Sequence, residues 1–504
     1  MATRSTLSDL TPYFIFLLLS ATLGPLLFGY HLAELNAPSE VITCAADSIN
    51  PSTLARLKSA LSSHLSTSTA TAASSSNLPQ CIPMDATQLG VVTSFFTLGG
   101  LIGALAAGPL TAKVGRVRTM LPGALLATVG PVFEAASPSI AVLALGRFVS
   151  GLGADLAPPG HKGLFGSFTQ VMVNVGILIT QALGLVWSRG QMWRVILGVG
   201  GAIGAVQAGA FMAAGMESPR YLAEKGKVGD AKKVLRRIRG KSADIDEEIR
   251  SYGVDTVDDD EPSEEERLLS SDTPSDPGMS RTHSNDSPKK PLTFLAIFKH
   301  PDTRPAVLAI TTVMLAQQLT GINSIIMYGV RLLSTLLAAN SALLNVAVSA
   351  LNVLITASAA PLVDKLGRKT CLLLSIAGMG INSILLAIGI MRSIPALSAI
   401  AVVLFVASFG LGLGPVPFIL ASELVDANAV GAVQSWALAV NWVATFVVAQ
   451  FFPMLNEAMG KGQVYFVFAA MAGLFGALVM WWVPESKGKT VDEVWGRGKG
   501  GTVD

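Results

Sequence analysis

LTAKVGRVR at Leu110–Arg118 and LVDKLGRK at Leu362–Lys369 are two copies of one short basic loop, set at matching points in two halves of a 504-residue chain. Each separates two apolar runs long enough to cross a bilayer, so the pair marks a polytopic membrane protein with transporter-like halves. Hydrophobic residues make up 51% of the chain and charged residues 14%, a balance that excludes an ordinary soluble domain. The net charge of +2 gives no reason to expect a nucleic acid or any other acidic partner.

Outward from the two loops, apolar runs begin near Pro12, Thr87, Arg118, Ile140, Leu164, Val195, Pro305, Leu343, Thr370, Pro395, Val430 and Gln463, each about 20 residues long. The predicted fold is all-α, with two six-helix bundles at residues 1–216 and 304–484, a linker at 217–303 and a tail at 485–504. An even number of spans puts both termini on one side. If that side is the cytosol, both basic loops, the linker and the tail lie inside, which satisfies the positive-inside rule. The first run is too long for a secretory signal and lacks a small-residue cleavage site, so it reads as a signal anchor.

The first external loop, 37–86, is rich in Ser and Thr and contains Cys44 and Cys81. These are either two free thiols or a disulfide, which would restrict the unfolded loop by roughly 3 to 4 kcal/mol in the chain-entropy model. In the linker, 218–250 has helical spacing and a basic face, whereas 253–290 is acidic, rich in Ser and Pro, and expected to be disordered. EEERLL at 264–269 has the form of an acidic dileucine signal, with Glu264, Leu268 and Leu269 the residues that clathrin-adaptor-type proteins would read; a plain solvated linker is the alternative.

Uncharged polar side chains recur at helical spacing inside the apolar runs. Gln170, Asn174 and Gln181 share one face of the fifth span, Asn345, Ser349, Asn352 and Thr356 one face of the eighth, and Gln434, Asn441 and Thr445 one face of the eleventh. One such stripe fits helix-to-helix glue. Three fit a shared cavity for a neutral ligand rich in hydroxyls, which needs donors and acceptors rather than charges. In the seventh span Gln317 and Asn323 serve one cavity only if the helix breaks near Gly321. The tenth, with Gly410, Gly412, Gly414, Pro415 and Pro417, is poorly suited to a regular helix and reads as a flexible gate.

With LLFGYHLAELNAP in the first span, GRFVSGLG in the fourth, SFTQVMVNVGILITQ in the fifth, ESPRYL after the sixth, and QQLTGINSIIMY, DKLGRK, GPVPF, ASEL, NW and VPESKG in the second half, the chain resembles the sugar porter family of the major facilitator superfamily. Fungal hexose transporters and mammalian facilitative glucose transporters belong to that family. The resemblance implies transport of a monosaccharide, most simply a hexose such as glucose, by alternating access. It matches Gln170, Gln317, Gln318, Asn323 and Asn352 to sugar-contacting positions, with Trp442 and Phe418 as aromatic walls. It also matches Arg116, Asp155, Lys162, Glu217, Arg220, Asp364, Arg368, Glu423 and Glu485 to a cytosolic gate. A monomer in the plasma or vacuolar membrane is expected, with the bilayer and a sugar or polyol as partners. No cofactor, metal or catalytic constellation is expected.

The chain also departs from the family pattern. His31 stands where proton-coupled members often carry Asp; a neutral imidazole favours facilitated diffusion, and a titrating one is the route to proton symport. Gly410, Thr445 and Met327 replace common family residues, which leaves other polyols open as substrates. The fourth span is short, about 17 residues from Ile140, and lacks a stretch that family members have before APPGHKG. A sugar sensor or an inactive variant is therefore an alternative to a carrier.

Overall fold

The structure, a computed structural model, describes residues 11–46, 78–155, 164–240, 245–250, 252, 294, 296–337, 341–426, 428–460 and 462–497. The dileucine segment and Lys162 lie outside them. The described residues fall into two compact units, one from within 1–17 and 216–291 and the other from within 18–215 and 292–504.

The larger unit carries the apolar helices. In chain order they are α1 Pro12–Ala33, whose first residues belong to the smaller unit, the short α2 Ser39–Ile42, α3 Ala86–Val114, α4 Arg116–Ala135, α5 Ile140–Asp155, α6 Leu164–Trp187 and α7 Trp193–Ala214. The smaller unit holds α8 Pro219–Glu224, α9 Val228–Arg239 and α10 Asp246–Arg250. The second half continues with α11 Ala296–Lys299, α12 Arg304–Leu319, α13 Ile322–Leu337, α14 Ser341–Leu366, α15 Arg368–Met391, α16 Pro395–Leu411, α17 Val416–Glu423, α18 Val430–Met459, α19 Val464–Trp482 and α20 Val491–Val494.

Among the described residues, ten helical stretches are long and apolar enough to cross a membrane, counting α12 with α13 and α16 with α17 as one each. Ile140–Ala154 is a shorter apolar helix, and α4 is a twelfth segment that carries Arg116, Arg118 and Glu134. The short fourth span is thus present as a 16-residue helix. Large apolar side chains face outward along these helices, among them Val206 and Met212 at 65% exposure and Trp481 at 78%, the inverse of a soluble protein's surface.

Both basic loops turn at a glycine in the left-handed region, Gly115 with φ 109° and Gly367 with φ 95°. In the first half, helices meet at backbone contact: a Cβ on Gly29 would lie 1.9 Å from Val173 O, and one on Gly176 would lie 2.0 Å from Leu26 O. Membrane helices use this small-residue packing because lipid supplies no hydrophobic drive between them.

Cys44 and Cys81 form a disulfide with Cα atoms 5.3 Å apart. It joins the segment after α2 to residues 78–82, which are held to the start of α7: Trp193 Nε1 donates to Gln80 O at 2.9 Å and Arg194 Nη2 to Pro79 O at 2.8 Å. Cys44→Ser should lower stability by about 3 kcal/mol, less any structure retained in the reduced chain. A thermal melt of detergent-purified protein, with and without reductant, checks this, and an unchanged melt contradicts it.

The smaller unit has its own core of Ala223, Ala231, Leu235, Ile245 and Ile249. Thr11 Oγ1 donates to Ile238 O at 2.8 Å, and the Arg237 guanidinium sits 4.2 Å from the Tyr13 ring centre. The helical reading of 218–250 is thus resolved into three short helices.

Candidate functional site

The seventh span breaks where the sequence places the break. α12 stops at Leu319 and α13 starts at Ile322, with Gly321 at φ 97° between them. A Cβ there would lie 2.6 Å from the Phe468 ring. Gly321→Ala therefore combines a left-handed strain of about 1 to 2 kcal/mol with a ring clash. We expect a lower melting temperature and loss of transport; wild-type values for both would contradict the assignment.

The break turns three amides toward one another. Asn323 Nδ2 donates to Gln318 Oε1 at 2.5 Å, and Gln318 Nε2 lies 3.4 Å from Gln317 Oε1. Gln317 Oε1 also accepts from Asn441 Nδ2 of α18, and Thr445 Oγ1 is 3.5 Å from Asn323 Nδ2. The tenth span breaks as well, between Leu411 and Val416, and Gln317 Nε2 donates to the freed carbonyls of Leu413 at 2.6 Å and Gly414 at 3.2 Å. One amide side chain thus ties two discontinuous helices together, which is how irregular backbone is tolerated at membrane depth.

A second polar group crosses between the halves. Asn174 Nδ2 of α6 donates to Thr356 Oγ1 of α14 at 2.9 Å, with Gln170 and Asn352 one turn away on their own helices. A Cβ on Gly410 would lie 3.1 Å from Asn352 Oδ1, so the glycine lets α16 pack directly against that amide. The rest of the eighth-span stripe behaves differently. Asn345 and Ser349 bond carbonyls of their own helix, at Ser341 and Asn345.

Trp442 is almost fully buried, edge-on to Phe28 at 5.2 Å and to Phe96 at 5.7 Å, and its indole Nε1 has no partner among the described residues. Phe418 is half-buried on α17 and packs against the main core.

At the end of the helices that bears the disulfide, Asn36 inserts into α13. Its Nδ2 donates to Ile326 O at 2.8 Å and its Oδ1 accepts from Val330 N at 3.0 Å, the two groups that a helical turn would pair with each other. Ser334 Oγ donates to Glu40 at 2.8 Å beside a cavity of about 220 Å³ lined in part by Arg331, Phe452 and Glu457. These contacts close the two halves together at that end.

Of the expected gate, the second-half members assemble. Arg368 binds Glu423 at 2.9 Å and Asp364 at 3.1 Å, while Glu485 accepts from the backbone N–H groups of Arg368 at 2.8 Å and Lys369 at 3.0 Å. Negative charge at the N-terminus of α15 is favoured by the helix dipole. In the first half, Arg116 begins α4 and Asp155 ends α5. In the smaller unit Arg220 pairs with Glu224 at 2.9 Å, and Glu217 accepts from Ser218 N.

His31 does not face an open path. It is fully buried, with Nδ1 at 3.0 Å from Glu34, while Arg147 Nη1 contacts both Glu34 and the His31 carbonyl oxygen. Glu134 of α4 lies in the same cluster and accepts from Ser150 Oγ at 2.5 Å. Reading His31 alone missed these partners. Glu34, three residues on and just past the end of α1, was the available signal, but no pattern within one helix brings Glu134 to it.

Two broken helices thus meet at an amide cluster within the second half of the chain. The fold matches the xylose transporter XylE from E. coli in a partially occluded inward-open conformation, with a TM-score of 0.69 at 20% identity over 95% of this chain and 100% of that one. It also matches the proton:xylose symporter XylE bound to 6-bromo-6-deoxy-D-glucose, with a TM-score of 0.65 at 21% identity, covering 97% and 99% of the two chains.

The chain belongs to the sugar (and other) transporter family, whose model matches residues 17–495. It is an integral multi-pass membrane protein and not an enzyme. It is 34% identical over 98% of its length to the probable metabolite transport protein YBR241C of Saccharomyces cerevisiae, covering 97% of that protein. It is 28% identical over 96% of its length to the vacuolar protein sorting-associated protein 73 of the same yeast, covering 96% of it. With the human facilitated glucose transporter member 4 it shares 29% identity, over 94% of this chain and 88% of that one.

Proposed function

We propose that this chain carries a neutral monosaccharide, with a hexose such as glucose as the first candidate, by alternating access. The amide cluster Gln317, Gln318, Asn323 and Asn441 at the junction of two helix breaks supports this most strongly. Its donors and acceptors suit sugar hydroxyls, Gln170 of the first half and Asn352 of the second supply more, and Trp442 and Phe418 offer ring faces to sugar C–H groups.

In this reading residues 1–216 and 304–484 rock about the site, with both termini cytosolic. Asn36 and Glu40 form the outer gate, closed in this structure, and the Arg368, Glu423 and Glu485 cluster belongs to the inner one. Because every amide of the cluster is already bonded within the protein, sugar binding exchanges partners rather than filling bare groups. Gradient-independent uptake of labelled D-glucose into cells that lack their own hexose carriers tests the reading, with unlabelled hexoses and polyols as competitors. Saturable uptake blocked by hexoses supports it, whereas block by polyols alone moves the substrate to that class.

A vacuolar location is favoured by the acidic dileucine segment and by the yeast relative named for vacuolar protein sorting. Replacing Leu268 and Leu269 by Ala should then shift a tagged protein to the cell surface, and an unchanged distribution would remove the sorting role.

A further inference from the structure

We propose that the exposed basic face of α9, formed by Lys233, Arg236 and Arg237, binds anionic phospholipid headgroups of the leaflet in which the first span begins. α9 carries charge on two sides, and only one of them is answered within the protein. On that side Lys232 lies 3.1 Å from Asp246 and Arg239 lies 3.3 Å from Glu248, both carboxylates being supplied by α10. On the other, Lys233, Arg236 and Arg237 are all exposed. They fall within about 100 degrees of one another around the helix. Arg236 and Arg237 meet no carboxylate among the described residues. Lys233 has Asp230 at 3.5 Å, one turn back, in a pair so exposed, at 79% and 57%, that the charge stays available.

Arg237 fixes where this face lies. Its guanidinium is 4.2 Å from the Tyr13 ring centre and its Nη1 is 3.3 Å from Met216 Sδ, while Thr11 Oγ1 donates to the carbonyls of Arg237 at 3.2 Å and Ile238 at 2.8 Å. Thr11 and Tyr13 stand at the start of the apolar span Pro12–Ala33, and Ile15, two residues beyond Tyr13, turns its side chain outward. A tyrosine in the first turn of a span sits at headgroup level, where one part of the ring is in apolar surroundings and the hydroxyl is wet. A guanidinium stacked on that ring shares its depth, within reach of lipid phosphate and carboxylate oxygens.

The far side of α9 is already covered. Ala231, Val234 and Leu235 are buried, and Ala231 and Leu235 pack with Ala223, Ile245 and Ile249. The helix therefore has no apolar face left to insert among acyl chains, and its contact with the membrane is electrostatic and sensitive to salt. Neighbouring guanidinium forks suit clustered anionic oxygens. The chain's own acidic stretch at 253–290 is the competing occupant. The Tyr13 stack favours lipid, because it holds Arg237 at the level where the span enters the bilayer. This proposal does not depend on which cargo the protein carries.

Thermophoresis of the purified full-length protein in detergent, titrated with dioctanoyl phosphatidylserine, phosphatidylinositol phosphate or phosphatidylcholine, tests this. At low salt at least one of the two anionic lipids should bind about tenfold or more tightly than phosphatidylcholine, and about 0.5 M salt should remove most of that preference. Lys233→Gln combined with Arg236→Gln leaves the Arg237 contact with Tyr13 in place and should weaken anionic binding about tenfold. Lys225→Gln combined with Lys227→Gln removes as much charge from exposed positions that precede α9, and should change binding by less than about twofold. No preference for either anionic lipid, or equal losses in the two double variants, overturns the site. Lipid binding that appears only after 253–290 is deleted assigns the face to the chain's own acidic stretch. Binding of soluble inositol hexakisphosphate without binding of either anionic lipid assigns it to a soluble polyanion, and both of these results overturn the lipid proposal.

Discussion

Replacing Arg147 by Leu should abolish accumulation of folded protein. The guanidinium is fully buried, contacts Glu34, donates to the His31 carbonyl oxygen at 2.7 Å, and lies over Phe96. Removing one partner of a buried ion pair costs about 3 to 5 kcal/mol, because the remaining charge has neither water nor a counter-ion. That range is a large part of a domain's total stability. The monodisperse fraction after detergent extraction is the readout, and Arg147→Lys should recover part of it by keeping the charge. A wild-type yield for Arg147→Leu would show that the cluster contributes little to folding.

Gln317→Ala should reduce sugar uptake more than any other change among the substrate candidates. The truncation leaves the Leu413 and Gly414 carbonyls without their donor and Asn441 without its acceptor, each loss costing about 1 to 3 kcal/mol where the groups stay buried. It also removes two polar atoms of the proposed sugar site, so a fall in uptake of about tenfold or more is expected, each factor of ten being 1.4 kcal/mol. Asn323→Ala should raise KM with less effect on the amount of folded protein, since its amide bonds Gln318 and approaches Thr445 but holds no helix break. Equal losses of folded protein in the two variants would mean that both are structural.

Much of the architecture can be read from local pattern. Apolar run lengths place the helices to within a few residues, and Gly321 and the Gly410–Pro417 stretch mark the two breaks because no L residue and no interior proline suits a continuous helix there. The stripes on the fifth and eleventh spans lead to real cross-helix bonds at Asn174 and Asn441. Periodicity on the eighth span misleads in part, since Asn345 and Ser349 satisfy themselves on their own backbone, an option open to any short polar side chain. The buried carboxyl cluster is not legible at all in one dimension. Glu134 looks like an ordinary helix-end residue until α4, α5 and α1 pack, and Asn36 looks like a loop residue until it enters α13.

The most direct test of the carrier assignment is trans-stimulated exchange of labelled neutral sugars by the purified protein in liposomes, normalised to folded protein. The amide cluster predicts saturable exchange that Gln317→Ala removes. Folded wild-type protein that exchanges no hexose, pentose or polyol would contradict a carrier and leave a sensor or an inactive variant.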